Sequence, residues 1–272
     1  MKIAALQMVS SPSVATNLET ARQLIGQAAD AGAELAVLPE YFCLLGLKDT
    51  DKLAIAEQPN GGPLQDFLSQ CAHDFKLWLV GGTIPLATSL ATDASGKVYN
   101  STLVYNPAGA CVARYDKMHL FRFDNGLESY DEARVLTPGA QPVTFDLPSQ
   151  DGHTWRVGLS ICYDLRFPEL YRKLESDLLL VPSAFTHTTG HAHWEVLLRA
   201  RAIENLVYVL AAAQGGLHDN QRRTWGHSMV VDAWGLILAE QAEGPGVVLA
   251  DIDKASLAAH RLQLPALAHR RL

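Results

Sequence analysis

The apolar residues of this chain come in many short runs, and that pattern constrains the fold more than any other feature. Runs of four to eight residues recur at 3–8, 35–38, 77–83, 155–162, 178–181, 207–213, 228–231, 236–240 and 247–252. Bounded by Gly, Pro, Asn or Asp, such runs read as buried strands. Two more, 98–105 and 110–115, flank Asn106-Pro107-Ala108-Gly109, the signal for a hairpin. Helical spacing is rarer. Thr16 and Glu19 stand at capping-box spacing ahead of a face carrying Leu18, Ala21, Ile25 and Ala28. Gly61-Gly62-Pro63 opens a second helix through about Asp74, and Pro168 opens a short one to Leu174. A fourth is expected over 191–205, with Trp194, Leu197, Leu198 and Ala202 inward and Gly190 interrupting any extension back to His187. Many strands with few helices predict two packed sheets with helices outside, a layered α/β sandwich. No linker divides the chain, so a single domain over 1–272 is expected.

Charge narrows the partners. A net charge of −7, with His269-Arg270-Arg271 the one dense basic run, argues against a nucleic-acid surface and points to a small solute. No stretch reaches the ~18 consecutive apolar residues of a membrane span, and the first eight residues are too short an apolar stretch for a signal peptide. Four scattered cysteines without a C-x-x-C pair suit a reducing, cytoplasmic setting.

Candidate chemistry lies where strands end. Cys162 closes the run 157–162 and could be an ordinary core thiol. Against that, Asp164, Arg166 and Glu169 follow at once around Pro168. A thiol between a strand and a helix sits near backbone N–H groups that can lower its pKa and cradle an oxyanion. Glu40 directly follows the run 35–38 and Pro39, and Lys117 follows Tyr115-Asp116; singly, each reads more readily as a surface charge. His187 and His191 have i,i+4 ligand spacing, but Gly190 between them and the off-face His193 make a metal site a poor reading, so no metal is expected.

Taken together, Leu38-Pro39-Glu40, Tyr115-Asp116-Lys117-Met118-His119-Leu120-Phe121 and Cys162-Tyr163-Asp164-Leu165-Arg166-Phe167-Pro168-Glu169-Leu170 resemble the three signature segments of the nitrilase, or carbon–nitrogen hydrolase, superfamily, in the family's order. The likeness continues through 189–195, 199–205 and 226–232. It implies a four-layer αββα sandwich that pairs as a homodimer through its outer helices. It also implies an amidase working without cofactor: Cys162 as nucleophile, Glu40 as acid–base, Lys117 as transition-state stabiliser, and Glu132 as a second glutamate near the lysine. Tyr163 would lend its backbone N–H to the oxyanion. Within the family, Thr188-Thr189-Gly190, Ala211-Ala212-Ala213-Gln214 and 264–271 resemble the deaminated glutathione amidase branch, whose neighbour is the ω-amidase branch acting on 2-oxoglutaramate. In that comparison Arg166 takes the position of a carboxylate-binding arginine, and Phe185 and Thr189 line the same pocket. An ion pair of Arg166 with Glu169 remains open from spacing, as does a retired scaffold that only binds partners. Asp232-Ala233-Trp234-Gly235 departs from relatives that often carry Pro after the Asp, a difference expected to touch only a turn.

Overall fold

In the computed structural model, which describes residues 1–88 and 96–271, the apolar runs become strands of two sheets. The first half of the chain supplies β1 (Lys2–Gln7), β2 (Leu35–Val37), β3 (Trp78–Val80), β4 (Ile84–Ala87), β5 (Val98–Tyr105), β6 (Cys111–Asp116), β7 (Arg122–Asp124) and β8 (Ser129–Asp131). The second half adds β9 (Thr144–Pro148), β10 (Thr154–Leu159), β11 (Leu178–Leu180), β12 (Tyr208–Ala211), β13 (Gly215–Leu217), β14 (Arg223–Trp225), β15 (Ser228–Val231), β16 (Ile237–Gln241) and β17 (Gly246–Asp251). One sheet runs β17-β1-β2-β3-β5-β4 with β6 also on β5; the other runs β16-β15-β12-β11-β10-β9. The pairs β7-β8 and β13-β14 stand apart as hairpins. Each sheet has a parallel centre, β1-β2-β3 in one and β10-β11-β12 in the other, flanked by antiparallel strands.

Alternation along β1 sets the layers. Successive side chains of a strand point to opposite faces. Ile3 and Ala5 join a core shared with Trp155, Val157, Leu159 and Leu210 of the second sheet. Ala4 and Leu6 join Ala21, Ile25 and Ala28 of helix α1 (Val14–Asp30) and Leu64, Leu68 and Cys71 of helix α2 (Pro63–Phe75). Helices α3 (Pro168–Leu174) and α4 (His187–Asn205) add Leu170, Leu174, Trp194 and Leu198 to the second sheet's core. The expected αββα order of layers follows.

Several boundaries differ from expectation for identifiable reasons. Helix α1 is capped by Ser13, whose Oγ accepts the Thr16 N–H at 3.3 Å, so Thr16 lies inside the helix and the Thr16–Glu19 box does not form. Helix α4 begins at His187 and runs through Gly190, the residue expected to break it. There a Cβ would lie 2.3 Å from Trp225 Cβ, so glycine serves close packing of the helix on β14. Helix α5 (Lys254–Gln263) docks through buried Leu257 and through charge. Asp177 accepts Lys254 Nζ and, at 2.8 Å, Arg261 Nη1. In the turn at Asp232, Oδ1 accepts the N–H groups of Trp234 and Leu236, so the side chain closes the turn without proline. Among the described residues no helix is long and apolar enough to cross a membrane.

The fold positions one acid through a glycine. Just after β3, Gly82 has φ +51°, and a Cβ there would meet the Pro39 carbonyl oxygen at 2.1 Å. The next residue, Thr83, accepts the Tyr41 N–H on Oγ1 at 2.8 Å. Backbone lying this close cannot yield as a flexible side chain would. Gly82→Ala is therefore expected to lose about 2 kcal/mol or more of stability, by left-handed strain plus overpacking, and to lower turnover by displacing Glu40. Denaturant midpoints and kcat at wild-type levels would contradict this placement.

Candidate active site

The parallel centre of each sheet ends at the same cleft, and chemistry collects at its strand ends. Beyond β2 the chain passes Pro39 into Glu40; beyond β10 it passes Ser160 and Ile161 into Cys162. Lys117 follows β6, its N–H bonded to the Asn100 carbonyl of β5 at 3.0 Å. The family-implied triad, three residues far apart in sequence, converges here. Lys117 Nζ donates to Glu40 Oε1 at 2.8 Å and to Glu132 at 2.8–2.9 Å. The Lys117 ammonium is fully buried, with Glu40 1% and Glu132 13% exposed in their side chains.

Each carboxylate is held by further donors. Glu40 Oε1 also accepts Asn100 Nδ2 at 2.9 Å, and Oε2 accepts the Ala184 N–H at 2.9 Å. Glu132 accepts the Tyr41 hydroxyl at 2.8 Å and the Phe121 N–H at 2.7 Å. Burial opposes charge on Glu132, yet Lys117 and these hydrogen bonds hold its carboxyl below the usual range. Burial likewise opposes charge on Lys117, and the two carboxylates outweigh it, leaving the ammonium firmly protonated. Removing one member would strand buried charge, a loss of several kcal/mol.

Cys162 sits on a short 3-10 turn, Cys162–Arg166, with φ +50°. A non-glycine residue in the left-handed region is strained by about 1–2 kcal/mol per residue, and the surroundings hold it. Its N–H bonds to the Pro182 carbonyl at 3.0 Å, and fully buried Asp164 ties the turn together. Asp164 accepts the Ile161 N–H at 2.9 Å, the Tyr115 hydroxyl at 2.7 Å and the His119 N–H at 3.0 Å. The thiol turn is thereby clamped to the segment carrying Lys117. Burial and then the adjacent Glu40 push the thiol well above its ordinary pKa, against the opposing pull of Lys117. The expectation that this site lowers the thiol's pKa is overturned. The Glu40 carboxylate beside the sulfur adds to the burial penalty that a thiolate would carry.

The remaining expected residues line the same cleft, an open space of about 270 Å³ bounded by Glu40, Glu132, Cys162, Tyr163, Arg166, Phe185 and Thr189. Arg166 does not pair with Glu169. Its Nη1 meets His193 Nδ1 at 3.2 Å, and its guanidinium lies over the Tyr163 and Phe185 rings at 5.7 and 5.4 Å. Tyr163 packs edge-on to Phe121 and Phe167. Thr189 shares a hydroxyl contact with Thr186 at 2.8 Å. His187 and His191 do share a continuous helix, but both rings pack edge-on against Trp225 at 5.1 and 5.3 Å. Among the described residues no group of three or more His, Cys, Asp or Glu is placed to hold a metal ion.

Sequence reasoning missed Asn100, Tyr41 and Arg222 at this site, and noted Asp164 only as polarity after the thiol. Asn100 lies inside a strand, where a polar residue in an apolar run was the available signal. Arg222 lies in a turn rich in Asp, Asn and Gln, with nothing local to set it apart from Arg223.

The model of the carbon-nitrogen hydrolase family matches residues 2–261. A Synechocystis protein named deaminated glutathione amidase is 43% identical over 98% of this chain and 97% of its own length. The crystal structure of Saccharomyces cerevisiae Nit3, a member of branch 10 of the nitrilase superfamily, superposes with a TM-score of 0.86 at 32% identity, covering 100% of this chain and 97% of that one. A glutamate-to-glutamine mutant of an amidase from Nesterenkonia sp. AN1, carrying the acetamide moiety of fluoroacetamide on its active-site cysteine, superposes at 0.80 with 25% identity, covering 100% and 94%. On the near-complete family match and the full-length relatives, the chain belongs to the carbon-nitrogen hydrolase family.

Proposed function

We propose that this chain hydrolyses the amide of deaminated glutathione to 2-oxoglutarate and Cys-Gly, through a thioester on Cys162. The observation that carries the reading is a count of hydrogen-bonding capacity. An ammonium has three protons, and Lys117 gives one to Glu40 and one to Glu132. The third is left for the cleft, where a carbonyl oxygen turning into an oxyanion would sit. Glu40 has both oxygens engaged by fixed donors, with lone-pair capacity left on Oε2 toward the thiol. The acid–base group is pre-positioned, and reaction need not reorganise it.

The steps follow. Cys162 Sγ attacks the amide carbon as its proton passes to Glu40. Charge on the carbonyl oxygen is met by Lys117 Nζ and by the backbone N–H of Tyr163, at the start of the 3-10 turn. Glu40 returns the proton to the departing nitrogen, and Cys-Gly leaves. Water then attacks the thioester while Glu40 takes its proton, and the sulfur leaves as thiol when Glu40 gives that proton back. Glu132 acts as a positioning residue, holding Nζ in place. Arg166, over its two aromatic rings, is positioned to take the 2-oxo acid carboxylate by charge-assisted bonds.

The assembly and setting belong to the same proposal. Exposed Val196 and Ile203 on α4, at 68% and 45%, give a homodimer an apolar face. Free thiols at Cys43, Cys71, Cys111 and Cys162 suit a reducing cytoplasm. The domain is proposed to span 1–272.

Three outcomes are expected. Cys162→Ala abolishes turnover without unfolding, and the wild type quenched with substrate gives an acyl adduct on Cys162 by intact mass and peptide mapping; full activity in the alanine variant would remove the mechanism. Glu40→Gln and Lys117→Arg each fall below about a tenth of wild-type kcat, a loss of more than ~1.4 kcal/mol of transition-state stabilisation. A variant retaining more than that has been given the wrong role. On a panel of deaminated glutathione, 2-oxoglutaramate and glutamine, kcat/KM ranks the first highest, and Arg166→Met raises KM for both oxo acids. A wide preference for 2-oxoglutaramate would make the chain an ω-amidase.

A further inference from the structure

A second guanidinium faces the cleft, and its surroundings leave it unfinished. Arg222 lines the same space as Cys162, Glu40 and Arg166. Its Nε is buried with no hydrogen-bond partner among the described residues. One Nη2 contact reaches the Ala184 carbonyl at a long 3.4 Å. The plane is held over the Tyr130 ring at 4.7 Å. A buried, unpaired N–H on a charged group is expensive and calls for an acceptor. The fork of a guanidinium matches a carboxylate in shape and charge.

The segment bearing Arg222 is built to be stiff. His218, in the turn between β13 and β14, accepts the Gln221 N–H on its carbonyl and places its ring nitrogens against Ser10 O and Thr224 Oγ1, each at 2.8 Å. Asn220 donates to the Gly46 carbonyl at 2.7 Å and accepts the Arg222 N–H at 2.9 Å. A side chain on so fixed a turn is pre-organised, so little ordering opposes binding.

Position decides which end of a substrate it meets. The Ala184 carbonyl that Arg222 touches belongs to the residue whose N–H holds Glu40. Arg222 thus lies on the Glu40 wall, where the departing nitrogen must collect its proton. Arg166 has a different set of neighbours, Tyr163, Phe185 and His193. Resting on the function proposed above, we infer that Arg222 binds the carboxylate of the leaving Cys-Gly portion, making this a site for amides with an anionic group on each side of the scissile bond. The two arginines also offset the repulsion that Glu40 and Glu132 would exert on a dianion.

Kinetics and binding together test this. Arg222→Met is expected to lower kcat/KM for deaminated glutathione about 10- to 100-fold, the worth of a charge-assisted pair. For 2-oxoglutaramate, whose leaving group is ammonia, it should change by less than about threefold, and Arg222→Lys should recover part of the loss. Equal losses on both substrates, or none, would overturn the assignment. Calorimetry in the Cys162→Ala background compares deaminated glutathione with its glycine carboxamide analogue. The carboxylate form should bind more tightly by about tenfold or more, and Arg222→Met should erase the difference. If the wild type hydrolyses neither oxo acid, the proposed function fails on that result alone. The binding comparison then still decides Arg222: a carboxylate preference absent from the parent, or surviving in Arg222→Met, rules it out.

Discussion

The buried contact of Lys117 with Glu40 and Glu132 is the constraint around which the rest is arranged. Three charges out of water are tolerable only if they are paired and hydrogen-bonded. The fold meets them from six places: Tyr41, Asn100, Phe121, Ala184 and the two carboxylates on Nζ. That network dictates where β2, β5 and β6 must end and why the loop carrying Glu132 folds back against Phe121. It also fixes the chemistry. Burial and the adjacent Glu40 push the Cys162 thiol above its ordinary pKa, so in the proposed mechanism Glu40 takes the proton as the sulfur attacks.

Two sheets with parallel centres serve this arrangement by bringing the ends of β2 and β10 to one cleft. Neither sheet alone holds both Glu40 and Cys162. Asp164 fastens the two halves, joining the thiol turn to Tyr115 and His119 of the lysine segment. The cleft is lined by charges of both signs, Arg166 and Arg222 with Glu40 and Glu132. On the proposed function, the two arginines would offset the repulsion of an anionic acid amide by the two carboxylates.

Much of this was legible in the sequence, and the failures have physical causes. Strand runs such as 98–105 and 228–231 were readable to the residue because apolar runs and turn residues coincide there. The short strands β7, β8, β13 and β14 were not, since they are held by the turns around them rather than by burial of an apolar face. Gly190 misled because its role is set by Trp225, thirty-five residues away. Cys162, Glu40, Lys117 and Glu132 were named from their motif, whereas periodicity alone left each indistinguishable from a surface or core residue. The direction of the thiol's pKa was misjudged because local sequence shows a strand end and nearby N–H groups but not two carboxylates gathered from distant segments. Arg222 was silent for the same reason: an orphaned Nε exists only once Tyr130 and Ala184 have closed around it.

The proposed mechanism starts from a thiol that burial and the adjacent Glu40 keep protonated. A pH titration of thiolate absorbance near 240 nm, as the difference between wild type and Cys162→Ala, isolates this one sulfur from Cys43, Cys71 and Cys111. Because the folded-state pKa is raised, the difference signal should stay flat from pH 6 to about 9, and Lys117→Met, which removes the only nearby cation on the triad, should not bring a thiolate in. A step of one thiolate near neutral pH in the wild type would contradict the account, making Cys162–Lys117 a preformed ion pair and Glu40 a bystander to the first step.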